Sequence, residues 1–285
     1  MTPLAAEGRV LGIDVGYSPR KKTNCFCAME WTQTTVTFAF GSATSDPCER
    51  ASALASLRLV GKVHAVAIDG PLTNGLGIVD HYRAAEALLS RGGLQKRGKP
   101  GQTSSPVGRQ LHRHATALAH LALESTDVVP ATHAQPIHAS AVVEAFPNMY
   151  LGALVPEPEL PVLHRDASDR YWEILAERTS RLESLIYRAL PGRVLRNDLV
   201  TIRDHEHRAG VVCALTALSV AAGAYVAVGD ATDGDIVLPA QSEWGPASSG
   251  RGSWLERELR SNLELVTKAR RCHPNHQRAR ILNMN

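Results

Sequence analysis

The chain has 285 residues, 44% of them hydrophobic and 21% charged, with a formal net charge of +3. That balance excludes a disordered chain and allows a sizeable core, in one large domain or two small ones. No apolar run approaches the ~20 residues that span a bilayer. The opening MTPLAAEGRVLGIDVG lacks a basic region, an apolar run and a small-residue cleavage site, so a cytoplasmic protein with no membrane partner is expected.

Residues 9–15, RVLGIDV, form a short apolar run that ends in an acid and a glycine, as a buried strand does. Residues 24–31 and 35–42 alternate with period two and are rich in β-branched, aromatic and cysteine residues, which predicts two more strands. Ser45-Asp46-Pro47 is a helix-start signal, and residues 48–60 have helical spacing. VHAVAI at 63–68 is an apolar strand that stops at Asp69-Gly70-Pro71. Residues 87–123 contain no acid; their Gly/Pro/Ser-rich middle predicts a mobile loop, and helical spacing resumes over 109–124. ASAVVEAF at 139–146 reads as a strand. A helix-rich region follows, clearest over 168–190, then an Ala-rich buried helix over 209–228, a short strand near 236–239 and a helix over 254–270. There is no internal repeat and no linker that splits the chain. One elaborated domain over 1–285 is expected, with a basic insert at 87–123 and a basic tail at 268–285.

The five cysteines, Cys25, Cys27, Cys48, Cys213 and Cys272, are odd in number and scattered, which argues against a disulfide framework. Cys25 and Cys27 share one face of a strand, but no second pair completes a zinc site, so structural thiols are expected.

Asp14 and Asp69 each end a buried apolar strand. A carboxylate there is costly unless a cation compensates it, and strand carboxyl ends are where α/β sheets bind ligands. Either acid alone is read as a turn cap, since Asp-Gly is a common turn pair. Together they point to one shared cation, Mg2+ or Mn2+. Glu144, at the end of VVEA, is a third acid of this kind, equally readable as a solvated strand exit. Asp204, His205, Glu206 and His207 precede the buried helix, where acids also complement the helix dipole. Asp204 and His207 are three apart and would share a helix face.

In this order, GIDVGYS, AIDGPL, VVEAFPN and HRAGVVCALTAL resemble domain-of-unknown-function family 429, nucleases predicted to adopt a ribonuclease H-like fold. The resemblance runs from Val10 to about Pro239, where DGDIVLP is similar to the family's closing segment. It implies an α/β architecture: a mixed sheet of three antiparallel strands then parallel strands, flanked by helices, with a helical elaboration. It implies a metal-dependent nuclease or nucleic-acid phosphodiesterase that uses Mg2+ or Mn2+. Asp14, Asp69 and Asp204 would be metal ligands, with Glu144 and His207 completing the catalytic set. Where such nucleases carry an Asp before the alanine of the last helix, this chain has Arg208-Ala209. Asp204, His205 or His207 then supplies the missing ligand, or the Arg208 guanidinium takes part of the metal's space. Arg91, Lys96, Arg97, Lys99, Arg109 and Arg113 of the acid-free segment are the expected contacts to nucleic-acid phosphates. The tail is either a second contact or disordered. Two alternatives stand beside the nuclease: an inactive relative that binds nucleic acid, and an actin-like or sugar-kinase-like phosphotransferase, which needs two copies of the core.

Overall fold

The computed structural model describes residues 4–73, 82–98, 100–131, 140–160, 167–250, 252–270 and 279–284. Strands β1 (Gly8–Asp14), β2 (Asn24–Trp31) and β3 (Thr35–Ala43) form an antiparallel meander. Helix α1 (Pro47–Ser56) starts where the Asp46 side chain accepts from the Glu49 amide and Pro47 supplies a preset φ. The apolar stretch 63–68 is divided: β4 (Lys62–Val63) pairs with the short β6 (Asp127–Val128), and β5 (Val66–Asp69) enters the large sheet parallel to β1.

Helices α2 (Ala84–Leu89) and α3 (Pro106–Ser125) follow, the second capped by the Ser105 hydroxyl. Strand β7 (Val142–Ala145) lies parallel to β5 and runs straight into α4 (Pro147–Leu154). The helical region over 168–190 comes in three pieces. These are α5 (Ala167–Trp172), a π-helical stretch Glu173–Arg178, and α6 (Arg181–Ala189), set off by Ser180 in the left-handed region at φ 50°.

After β8 (Val194–Leu195) comes α7 (His205–Ala221), which starts and stops earlier than the helix expected over 209–228. Gly223, at φ 62°, ends it in the usual left-handed manner, and the remainder of the apolar run becomes β9 (Tyr225–Asp230). A buried helix and a buried strand are equally free of charge, so periodicity does not separate them there. Strand β10 (Gly234–Pro239), helix α8 (Trp254–Arg270) and strand β11 (Arg280–Leu282) complete the described elements.

The fold is α/β. Among the described residues nine strands form one mixed sheet in the order β11-β9-β10-β7-β5-β1-β2-β3-β8, with β1, β5, β7 and β10 mutually parallel. Helices cover both faces. Leu11, Ile13, Ile68 and Val142 point toward α1 and α3, while Val10, Ala67 and Val143 point into the core with α4 and α7; α2 lies on the α3 side, where Arg83 meets Glu144. Helix α7 lies directly on β1 and β2 because both surfaces are bare. A Cβ on Gly12 would stand 2.2 Å from the Ala214 nitrogen, and one on Gly210 would stand 2.8 Å from Cys25 Sγ. Among the described residues no helix is long and apolar enough to cross a membrane.

Candidate functional site

Asp14 and Asp69 are direct partners in the parallel register of β1 and β5. Both side chains project from the face that carries α7, two residues beyond Gly12 and Ala67. They open into a cavity of about 70 Å3 also walled by Asn148, Asp169, His205 and Arg208. Each acid is half-buried, so protein removes most of its hydration while the cavity leaves one side reachable. Burial, followed by the negative charge of Asp69, Glu206 and Asp204, holds Asp14 well above the usual carboxylate range. Burial and the charge of Glu144 push Asp69 up to about 7, against a hydrogen bond shared with Asp14. Among the described residues no cation is named as acting on either acid. The pair therefore holds a proton at neutral pH or takes up a cation.

The four polar residues at the start of α7 have different fates. Asp204 is exposed and caps the helix, its Oδ1 accepting from the His207 amide at 2.9 Å. His207 turns to β3, its ring stacked on Phe40 at 4.5 Å and its Nε2 3.1 Å from Ser42 Oγ. His205 lies at the cavity wall, 3.5 Å from Asp169. Glu206 is the member whose charge acts most on Asp14. It precedes Gly210 by one helical turn, and Gly210 is the point where α7 touches β2. That spacing was legible in the sequence, but its meaning required knowing which face of α7 meets the sheet.

Arg208 is in the cavity wall, yet its guanidinium is committed elsewhere. Nε donates to the Ile202 carbonyl at 2.9 Å, Nη1 to Asp169 at 3.0 Å and Nη2 reaches Glu177 at 3.5 Å, with the group 5.6 Å over the Trp172 ring. Asp169, Glu177 and Asn148 are neighbours that no local sequence signal singles out.

Glu144 is in register with Ile68, not Asp69, and so leaves β7 on the opposite face of the sheet. There it accepts from the Leu72 amide at 3.2 Å and from both terminal nitrogens of Arg83, at 2.9 and 2.5 Å. Arg83 also binds Glu86 at 2.8 Å, and all three residues are buried. Burial raises Glu144 and Arg83 draws it back, so this acid belongs to an ion-paired girder between the β5 exit, α2 and β7.

The basic segment is not one stripe. Arg91 lies against α8, where Asn262 donates to its carbonyl. The Arg97 carbonyl accepts from Tyr171, and Gly98 packs on Asn148 at the cavity wall. Arg109 and Arg113 are exposed along α3. The Lys96 side chain and Lys99 lie outside the described residues, as do residues 271–278 of the tail; Arg280 pairs with Asp235 at 2.9 Å. Cys25, Cys27 and Cys213 are buried free thiols and Cys48 is an exposed one, while Cys272 is outside the described residues.

Among the described residues no group of three or more His, Cys, Asp or Glu is close enough to enclose a metal ion by itself. The chain matches no protein-family model, no curated protein and no solved structure.

Proposed function

We propose that this protein is a metal-dependent nuclease, a phosphodiesterase of nucleic acids on a ribonuclease H-like core related to family 429. The observation that carries the reading is the Asp14–Asp69 pair, side by side at two parallel strand ends and without a compensating cation among the described residues. The sheet, three antiparallel strands followed by parallel ones, agrees with what the resemblance implies.

The donor set fits Mg2+ or Mn2+. Both side chains offer hard oxygen atoms, and these ions commonly take one or two carboxylates and complete their shell with water and phosphate oxygens. Asp14 and Asp69 would hold the ion, with Glu206 the nearest further carboxylate and Asp204 capping the helix that carries it. Such an ion supplies a water of lowered pKa and charge stabilisation at a phosphoryl oxygen. The chain's own contribution is placement: the β1–β5 register fixes the two carboxylates, and the Gly12–Gly210 contact sets the height of α7 above them.

The test pairs calorimetric titration with Mn2+ and a cleavage assay on single- and double-stranded DNA and RNA. Wild type is expected to bind Mn2+ and cleave; Asp14→Asn is expected to lose both. A wild-type protein that takes up no Mn2+ at millimolar concentration refutes the reading. A second reading, binding without cleavage, is favoured by Arg208 in the cavity wall where related nucleases carry an acid. It is distinguished by retained nucleic-acid binding with no product in Mn2+. The phosphotransferase alternative finds no second core, since the described residues form one large sheet and one two-stranded ladder.

A further inference from the structure

The loop that leaves Asp14, residues 15–23, is held from the α1–α3 side of the sheet by Arg50. This arginine is 4% exposed. Its Nη2 donates to the Gly16 carbonyl at 2.9 Å and to Asn24 Oδ1 at 3.1 Å, and meets His114 Nδ1 at 3.1 Å. Asn24 is fully buried and accepts from the Gly16 amide, so the turn after Asp14 is fixed by a polar knot. Every acceptor in that knot is neutral.

The neighbouring acids do not face Arg50. Asp46 caps α1, and Glu49 accepts from the amide and hydroxyl of Thr44. Burial lowers the arginine, and no described acid draws it back. A buried cation without a counter-charge is expensive, and an arriving anion would relieve that cost.

The surroundings suit that anion. Arg50 Nε is sealed from solvent without a partner, and Nη1 bonds to no described residue. Because a guanidinium only donates, His114 Nδ1 is an acceptor and its proton sits on Nε2, a second donor. Tyr17, 43% exposed, stacks on the His114 ring at 6.4 Å and adds a third polar side chain beside it. The same loop carries Arg20, Lys21 and Lys22, all exposed, and no acid. Ser18 fixes its tip, accepting from the Arg20 and Lys21 amides at 3.3 and 3.0 Å.

We propose that Arg50, His114 and Tyr17 form a phosphate-binding subsite that takes a backbone phosphate of nucleic acid beside the one presented to Asp14 and Asp69. The phosphate chemistry follows from the donors; its assignment to a nucleic-acid strand rests on the proposed function.

The experiment is an NMR titration of the full chain in EDTA, following the Arg50 Nε–H, sealed from exchange, and the His114 ring. The probes are inorganic phosphate and a ten-nucleotide oligothymidylate. Both are expected to shift these signals saturably, the oligonucleotide at much lower concentration. Arg50→Gln should weaken oligonucleotide binding by roughly tenfold, the worth of one charged hydrogen bond. It should also reduce the slope of log K against log salt by about 0.7. Should Arg50→Gln fail to fold, His114→Ala with Tyr17→Ala leaves the Arg50–Gly16–Asn24 knot in place and is expected to show the same loss in lesser degree. No saturable shift with either probe overturns the subsite. A response to phosphate but not to the oligonucleotide overturns its assignment to a nucleic-acid strand. A response to both in a protein that never cleaves with Mn2+ keeps the subsite and sinks the nuclease instead.

Discussion

Replacing Asp69 by Asn should stabilise the metal-free protein at alkaline pH and leave it unchanged in acid. In the unfolded chain Asp69 ionises near 3.8; in the folded protein burial and Glu144 hold it at about 7. Between those values the folded state keeps a proton that the unfolded chain has released. The contribution of Asp69 to stability therefore falls as pH rises through that window and is lowest above about pH 7. At 1.36 kcal/mol per pH unit, the difference amounts to about 4 kcal/mol against the ionised wild type at pH 8. Asn matches the shape of the protonated acid and carries no charge, so the variant escapes the penalty. In a chain of this size each kcal/mol moves Tm by roughly 2 °C, giving a gap of about 8 °C at pH 8 that closes by pH 4. Mn2+ at 100 times its Kd should narrow the gap to about 1.3 kcal/mol, since the cation stabilises only the wild type, by about 2.7 kcal/mol. Thermal melts from pH 4 to 9, in EDTA and in Mn2+, make the measurement. Parallel profiles with no opening gap, or equal Mn2+ stabilisation of both proteins, refute the reasoning.

Glu206→Gln should weaken Mn2+ binding and cleavage more than Asp204→Asn, measured by calorimetry and turnover, because Glu206 acts more strongly on Asp14; the Asp204 variant should lose only capping stability, about 1 kcal/mol. Glu144→Ala leaves Arg83 short of one of its two acids and should cost roughly 3–5 kcal/mol in urea unfolding. Cleavage per folded molecule should persist; a variant of full stability that cannot cleave would return Glu144 to the catalytic set. Arg109→Ala with Arg113→Ala should lower the salt slope of single-strand binding by up to about 1.4, two phosphates at ~0.7 each. An unchanged slope would mark α3 as an ordinary solvated face.

The strand-end acids were readable from the sequence because two local signals, an apolar run and an abrupt acid-glycine stop, coincide at Asp14 and at Asp69. Their adjacency was not readable, since the β1–β5 register is set by long-range pairing. Glu144 looked alike locally, and one residue of register separates it from the pair: period-two alternation sends Asp69 to one face and Glu144 to the other. At α7 the capping signal was plain in the sequence, but which of Asp204, Glu206, His207 and Arg208 faces the strands depends on helix phase. That phase is set by Gly12 against Gly210. The break between α7 and β9 was hidden for a different reason, an apolar run that suits both structures.

The charges left over have a common solution. Arg83 meets Glu86 and Glu144, and Arg208 meets Asp169 and Glu177, so these buried or partly buried cations are compensated within the fold. Among the described residues Asp14 and Asp69 have no cation, and Arg50 has no anion. The two uncompensated groups lie on either side of one turn, since Arg50 binds the carbonyl of Gly16 two residues after Asp14. They do not neutralise each other: the acids face α7, and the arginine approaches from α1. A divalent cation alone would satisfy the first and leave the second; a phosphate alone would do the reverse and be repelled by the acids. Under the proposed function a phosphodiester chain carrying a divalent ion would satisfy both, with Asp14 and Asp69 holding the ion and Arg50 receiving a neighbouring phosphate. This joint requirement ties the order of binding together: metal should raise the affinity for nucleic acid, and by reciprocity nucleic acid should raise the affinity for metal.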